Sequence, residues 1–542
     1  MNPIARISRL VIVVGLSCLA TGLATPAAAG LDPGLAGRSL TTEALLDSLQ
    51  RTAFEYFWEQ ANPTNGLIRD RSQIWSPCSI AAQGFGITAI CIGIDHGWVS
   101  REVGRDRILL GMQTLWNGPQ GDAASGVNGY RGLFYHFLDI DTGYRTWSCE
   151  LSTIDTALLM AGILDARQYF DTEDPGDVAL RDLADALYLR VDWDFMRSGG
   201  GAIRMGWLPG TGFNGFSYWF GYNEAMILYL LALGSPTYPV PEFTWGYWTT
   251  GYQWQTQYGY TYVIFPPLFG HQYSHCWVDF RNIWDEYMEL RGITYFENSR
   301  RATLAQREYC IANPFGWADY GPETWGLTAS DDPDGYVAHG APPAQNDNGT
   351  ITPTAPASSI PFAPEVVIPT LHNLYDTYGG AIWGQYGFKD AFNPERFWFG
   401  QDYIGIDEGP IVIMIENYLN ERVWDRFMTN PYVQTGLLRA GFATVTGVPG
   451  EFAGDPRLVV DQNAPNPFRE TTTVAYRLAE ASPATLRLFD LRGRCLQTIS
   501  QPGAGQGLNR FSIDARGLPS GVYLYSVEAG GNRELKRCII VR

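Results

Sequence analysis

The feature that most limits this fold is a change of period along the chain. From Thr41 to Gly441 apolar residues recur at three- and four-residue spacing, as in "TEALLDSLQRTAFEYFWEQ", "REVGRDRILLGMQTLW" and "LRDLADALYLRVDWDF". That spacing lines one face of a helix. "SIAAQGFGITAICIGIDHG", "NEAMILYLLALG" and "PIVIMIENYLNERVW" are apolar on all sides, as interior helices require. "STIDTALLMAGILDARQYF", "VDFRNIWDEYMELRG", "NSRRATLAQREYCIA" and "APEVVIPTLHNLYDTYG" complete a set of ten predicted helices. A mixture of all-apolar and amphipathic helices implies an inner ring covered by an outer one. After Gly447 the pattern becomes alternation, in "TTTVAYRL", "ATLRLFDL", "RCLQTIS", "NRFSIDA", "GVYLYSVEA" and "KRCIIVR". Gly, Pro and Asn turns separate these runs, so a small antiparallel β-sandwich is expected there.

The ends of the 542-residue chain set the compartment. Arg6 and Arg9 precede an apolar run from Leu10 to Ala24, and Ala27-Ala28-Ala29 offers a small-residue cleavage site, so residues 1–29 read as a signal peptide. Gly15 and Leu16 before Ser17 make a poor lipidation motif for Cys18. The predicted organisation is a helical domain over 38–443, a linker over 444–460 containing "TGVPGEFAGDPRL", and a strand domain over 461–542. No other segment is long and apolar enough to span a bilayer. The net charge of −18, without a basic stripe, argues against nucleic acid as a partner. With Cys18 in the leader an odd number of cysteines remains; one or two disulfides fit an exported chain, but no disulfide framework is indicated. Aromatic residues make up 14%, and many sit in loops such as "FNGFSYWFGYNE" and "EFTWGYWTTGYQWQTQYGYTYVIFPPLFGHQYSHCW". Flat rings with polar tips suit the C–H faces of pyranoses, although such loops can also simply cover a core.

Four acidic sites stand at or near predicted helix starts: Glu150 and Asp155, Glu224, the trio Asp402, Asp407 and Glu408, and Asp139 with Asp141. Three of them have a plain structural reading. Ser152-x-x-Asp155 is a capping box, Glu224 follows an Asn223 cap as a dipole partner, and "LDIDTG" is a turn or a cation contact. Together they offer what glycosidic cleavage needs: one protonated carboxyl for the leaving oxygen and one carboxylate for water or the anomeric carbon. A helix start favours the ionised form, which suits Asp407, set just before Gly409-Pro410, as the base. The same reasoning counts against Glu224 as the acid unless burial or neighbouring carboxylates hold its proton. "HQYSH", His271 to His275, has the spacing of a zinc helix, but Gln272 occupies the place of the catalytic Glu and no third ligand is evident. No metal or other cofactor is expected.

Two resemblances sharpen these expectations. "NAPNPF", "LRLFDLRGRCLQTI", "LPSGVYLYSVEAGG" and the terminal "KRCIIVR" resemble the immunoglobulin-like, FlgD-type sorting domain of type IX secretion cargo. That implies the secretion machinery as a partner, with export past the outer membrane to the cell surface or beyond. "YRGLFYHFLDIDTG", "PPLFGHQYSHCWVDFRN", "NPFGWADYGPETWGLTASDDPDGYVAHGAPP", "IPFAPEVVIPTLHNLYD", "WGQYGFKDAFNP" and "YIGIDEGPIVIMIENY" resemble the glucoamylase-like domain of the endo-β-1,2-glucanases of glycoside hydrolase family 144. The resemblance implies an (α/α)6 barrel and hydrolysis with inversion and without metal. It points to Asp155, Glu224 and Asp407 as essential, with Glu150 and Asp139 nearby. It places Tyr222, His271, Gln272, His275, Arg281, Trp325, Asp331, Trp383 and Trp398 on motifs that line the pocket, beside Asp402 and Glu408. Asp155 stands where the pattern usually has Glu, and Glu408 where it usually has Gln. The leading expectation is an exported β-1,2-glucan hydrolase with Glu224 as proton donor and Asp407 as base. The alternatives are a glucoamylase-type or sophorose-releasing exo-enzyme and a non-catalytic glycan-binding protein; a lyase would want a basic groove for uronates.

Overall fold

In the computed structural model, the segments apolar on every side become helices with almost no exposed face. These are Ile80–Asp95, Thr153–Tyr169, Met226–Gly234 and Gly405–Asn420. The structure describes residues 40–445, 458–460, 463, 465–478, 480–489, 495–530 and 532–541. The expected signal peptide and most of the expected linker lie outside these residues. Small residues allow the buried helices to touch backbone to backbone. A Cβ on Gly162 would stand 2.0 Å from the Gly84 carbonyl oxygen, and one on Gly84 would stand 2.2 Å from that of Leu158. Such crossings cannot accept even a methyl group without moving a helix. Thr42–Glu59, Arg101–Asn117, Pro175–Leu189 and Tyr295–Ala312 bury one face only, as their amphipathic spacing dictates.

Two expectations about this region change. Val278–Gly292 forms no long helix: Ile283–Trp284 pairs as a strand with Ala443–Thr444, and only Glu286–Glu289 is helical. Asp285 explains the break. Its carboxylate caps Met288 N at 2.9 Å and accepts from Trp245 Nε1 and the Tyr295 hydroxyl, each at 2.8 Å, so it begins a helix instead of continuing one. The aromatic "loop" after Glu242 contributes to the core as well. Phe243–Thr249 is a helix with Trp245 and Trp248 buried, and Trp254–Gln257 pairs with Tyr260–Val263 as a hairpin.

Short strands at one end of the helical layer deliver the chain to the helix starts. Cys78–Ser79 pairs with Phe137–Leu138, and Leu151–Ser152 lies in a four-stranded sheet beside Leu133–Tyr135 and Gly206–Trp207. Ser79 and Ser152 then cap the helices that follow. A second apolar core lies among the C-terminal strands. Thr471–Leu478 joins Leu458–Val460 and Gly507–Asp514 in one antiparallel sheet. Ala484–Phe489 joins Cys495–Gln501 and Gly521–Ala529 in another, which continues to Asn532–Ile540. The alternating residues Val474, Tyr476, Leu486, Leu488, Phe511, Ile513, Tyr525 and Val527 meet in that core. The predicted strands therefore form. No cysteine pairs with another among the described residues.

Candidate active site

The helix starts carry the acids, with shifts in detail. Asp155 is in the first turn of its helix, and the Ser152 hydroxyl both accepts from Asp155 N at 3.3 Å and donates to Asp155 Oδ2. Glu224 lies on the turn before Met226–Gly234; Asn223 Oδ1 accepts from Ala225 N at 3.0 Å. The Asp407 helix begins at Gly405, a turn earlier than Gly409-Pro410 suggests, because Gly405 N donates to the Asp70 carbonyl at 2.7 Å. Asp407 and Glu408 thus occupy the first turn, and Pro410 falls inside the helix.

These acids belong to one closed ring of groups. His136 Nδ1 lies 2.9 Å from Glu150 Oε1 and 3.6 Å from Asp155 Oδ2. The charge of Asp155 reaches Glu224, and Glu224 and Asp407 both act on the buried phenol of Tyr273. Asp407 bonds to Asp390, whose Oδ2 accepts from Asp331 N at 2.6 Å. Asp331 Oδ2 and Asp402 Oδ2 accept from Arg71 at 3.0 and 3.2 Å, and Gln73 donates to Asp402 Oδ1. Asp70 stands 3.6 Å from Arg71 and feels both His136 and Asp155, which closes the ring.

Protonation differs around the ring. Burial pushes Glu224 up to about 7, helped by Asp155, and among the described residues no donor reaches its Oε2. Burial, with the charge of Asp331, takes Asp390 to about 7. Burial, Asp390, Glu408 and Asp331 hold Asp407 well above the carboxylate range, and burial with Asp390 does the same to Glu408. Two carboxylates can bond only through a proton, so Asp390 and Asp407 share one. The favourable helix end expected to keep Asp407 ionised is outweighed by desolvation and by three acidic neighbours. His136 goes the other way. Burial opposes its charge, but Asp155 and the Glu150 bond prevail and keep the imidazolium up to about 9. Against burial, that bond holds Glu150 below its ordinary value.

The remaining predicted residues divide. Tyr222 is buried two residues before Glu224, with its ring 4.8 Å from that of His271. Trp383 and Trp398 are half-buried on short hairpins flanking Asp390. Gln272, His275, Trp325, Arg281 and Asp139 have structural partners instead. Gln272 donates to Ala355 O and Ser359 Oγ, and His275 meets Ser299 Oγ at 3.1 Å. Trp325 is fully buried on Thr370 Oγ1, and Arg281 clasps Asp279 and Glu421. Asp139 closes its own turn on Thr142 N at 2.8 Å. Burial leaves His271 and His275 neutral, with values lowered to about 3. The ligand atoms of His136, Glu150 and Asp155 lie within 4.8 Å of one another, a spacing open to a cation, but they are already joined by hydrogen bonds and charge. Sequence reasoning passed over His136, Asp390, Asp70, Arg71 and Tyr273. His136 and Asp390 fall inside the quoted motifs "YRGLFYHFLDIDTG" and "WGQYGFKDAFNP". A separate cleft of about 420 Å3, lined by Gly200, Gly201, Ala202, Tyr218, Phe220 and Tyr247, contains none of these acids.

Comparison with known proteins gives this geometry a family. Residues 217–431 match the family model described as "Putative glucoamylase". A solved structure described in the same words, from Bacteroides uniformis, is 36% identical, with a TM-score of 0.70 over 75% of this chain and 99% of that one. The chain belongs to the glucoamylase-like family of glycoside hydrolases. The endo-β-1,2-glucanase from Chitinophaga pinensis, solved in complex with sophorotriose and glucose, is 31% identical, with a TM-score of 0.69 over 75% of this chain and 99% of that one. A curated relative from Parabacteroides distasonis, an exo β-1,2-glucooligosaccharide sophorohydrolase (non-reducing end), is 32% identical over 431 residues. The alignment takes in 73% of this chain and 58% of that relative's length. Residues 464–541 match the secretion system C-terminal sorting domain, so the strand region is a sorting module. Among the described residues no helix is long and apolar enough to cross a membrane.

Proposed function

We propose that this glucoamylase-like chain is an exported hydrolase of β-1,2-linked glucan that acts with inversion. Glu224 donates its proton to the glycosidic oxygen as the C1–O bond breaks. A water attacks C1 from the opposite face and passes its proton to the singly ionised Asp407–Asp390 pair. Two carboxyls that share one proton can serve as a base of this kind, as in aspartic proteases. The reading is carried by two buried acids, Glu224 and Asp407, whose charges both bear on the phenol of Tyr273 and each of which has a buried oxygen that no N–H donor among the described residues reaches. A carboxyl raised to about 7 by burial suits a proton donor at neutral pH. The β-1,2-glucan activities of the relatives support the choice of linkage.

The helices are read as an (α/α)6 barrel over 38–443 and the strands as a FlgD-like immunoglobulin sandwich over 461–542, joined by a linker over 444–460. The sorting module supports transport by the type IX machinery to the cell surface or medium after removal of a signal peptide. The sophorohydrolase relative favours a second reading, exo-release of sophorose. Incubation with linear β-1,2-glucan, followed by proton NMR, tests both. A ladder of products with inverted anomers is expected; sophorose alone supports the exo reading, and no product removes both.

A further inference from the structure

We propose that Trp75 and Trp147 form a platform on which glucose rings of the substrate chain stack, just outside the acidic ring. The inference rests on the β-glucan reading above. The two indoles come from different loops, yet their centroids lie 6.4 Å apart at 45°. They are 63% and 58% exposed, beside Ile74 at 86%. One exposed aromatic is ordinary; two adjoining ones with an aliphatic neighbour make a patch that marks a binding surface.

The backbone points the same way. Trp147 and Ser148 both have φ of +53°, and Cys149 N donates to the Thr146 carbonyl at 3.2 Å across them. A turn with positive φ at both central residues suits Asn or Gly and opposes a bulky side chain. The Trp147 ring is not repaid by burial, which is the pattern of strain held at a functional position. Arg145 fixes the turn by donating to Cys149 O at 2.7 Å and Ala124 O at 3.0 Å. On the other loop, Arg71 and Gln73 hold the base to Asp331 and Asp402 and leave Ile74 and Trp75 at the tip.

Continuity with the acids identifies the occupant. Trp147 lies 5.2 Å from Phe137, and Phe137 stacks on His136 at 4.0 Å and 11°. His136 is the partner of Glu150 and Asp155. An unbroken row of rings therefore leads from solvent to the carboxyl groups. β-Linked glucose, with equatorial hydroxyls and apolar axial faces, is the ligand chemistry that such a row fits.

The test measures kcat/KM on linear β-1,2-gluco-oligosaccharides of increasing length for the parent, Trp75→Ala, Trp147→Asn and the double variant. Asn tolerates positive φ, so Trp147→Asn should melt no lower than the parent, which separates loss of the ring from loss of the fold. In the parent, kcat/KM should climb with chain length. Each single variant should lose about tenfold of that gain, mainly through KM, and the double variant should lose nearly all of it. Variants that keep the parent's length dependence overturn the platform while leaving the activity standing. A parent that does not cleave β-1,2-glucan overturns the activity and the platform with it.

Discussion

The two walls of the acidic ring hold similar groups against different counter-charges. On the His136 wall, Glu150 and Asp155 face an imidazolium, and Arg71 braces Asp331 and Asp402 close by. On the Asp407 wall, Asp390, Asp407 and Glu408 are buried, and among the described residues no N–H donor reaches Asp390 Oδ1, Asp407 Oδ2 or Glu408 Oε2. A counter-charge opposes burial at Asp155 and Asp331, which are raised all the same, whereas Asp407 and Glu408, buried beside other acids, are held well above their ordinary values. Charge balance, more than the number of acids, therefore decides which wall can move protons.

The largest break in this contrast should come from Asp407→Asn. Removing the water-activating group is expected to lower kcat on β-1,2-glucan by about 10³–10⁴-fold, measured as reducing ends released. His136→Asn should strike the other wall and be felt mainly as stability. It leaves Glu150 and Asp155 without their counter-charge, at a cost of about 3 kcal/mol, read by chemical denaturation at pH 7. His136 is raised in the folded protein, so its stabilisation is complete below pH 6.5 and lost as pH rises through about 9. The variant should lack that fall in stability over the same window. A smaller effect is expected from Asp390→Asn. Asp407 then loses its charged neighbour and drops toward an ordinary carboxylate, which moves the acidic limb of the kcat profile to lower pH and reduces kcat about 10–100-fold.

Much of this was legible in the sequence, but not the contrast itself. Period alone located the buried helices, because residues such as those of "AMILYLLALG" admit no exposed face. It located the C-terminal strands for the same reason. Asp155, Glu224 and Asp407 were visible because each lies at or beside the start of an apolar helical run. Asp390 and Arg71 were not, since each sits in a short loop with no periodic signal and acquires meaning only from partners elsewhere in the chain. Arg71 and Asp402 are separated by 331 positions, for example. The places of Trp325, His275 and Gln272 could not be read, because aromatic and amide side chains line pockets and fill cores alike; only their buried partners distinguish the two. The protonation of Asp407 was missed because a helix start is visible in a sequence and desolvation is not.

The most direct test compares leaving groups. A nitrophenyl β-sophoroside departs without a proton, whereas β-1,2-glucan needs one. Glu224→Gln should lose about 10³-fold or more in kcat on glucan and keep most of its activity on the aryl substrate, while Asp407→Asn should lose both. If Glu224→Gln fails equally on both substrates, or if Asp407→Asn is the variant that the aryl group rescues, the division of roles between Glu224 and Asp407 is wrong.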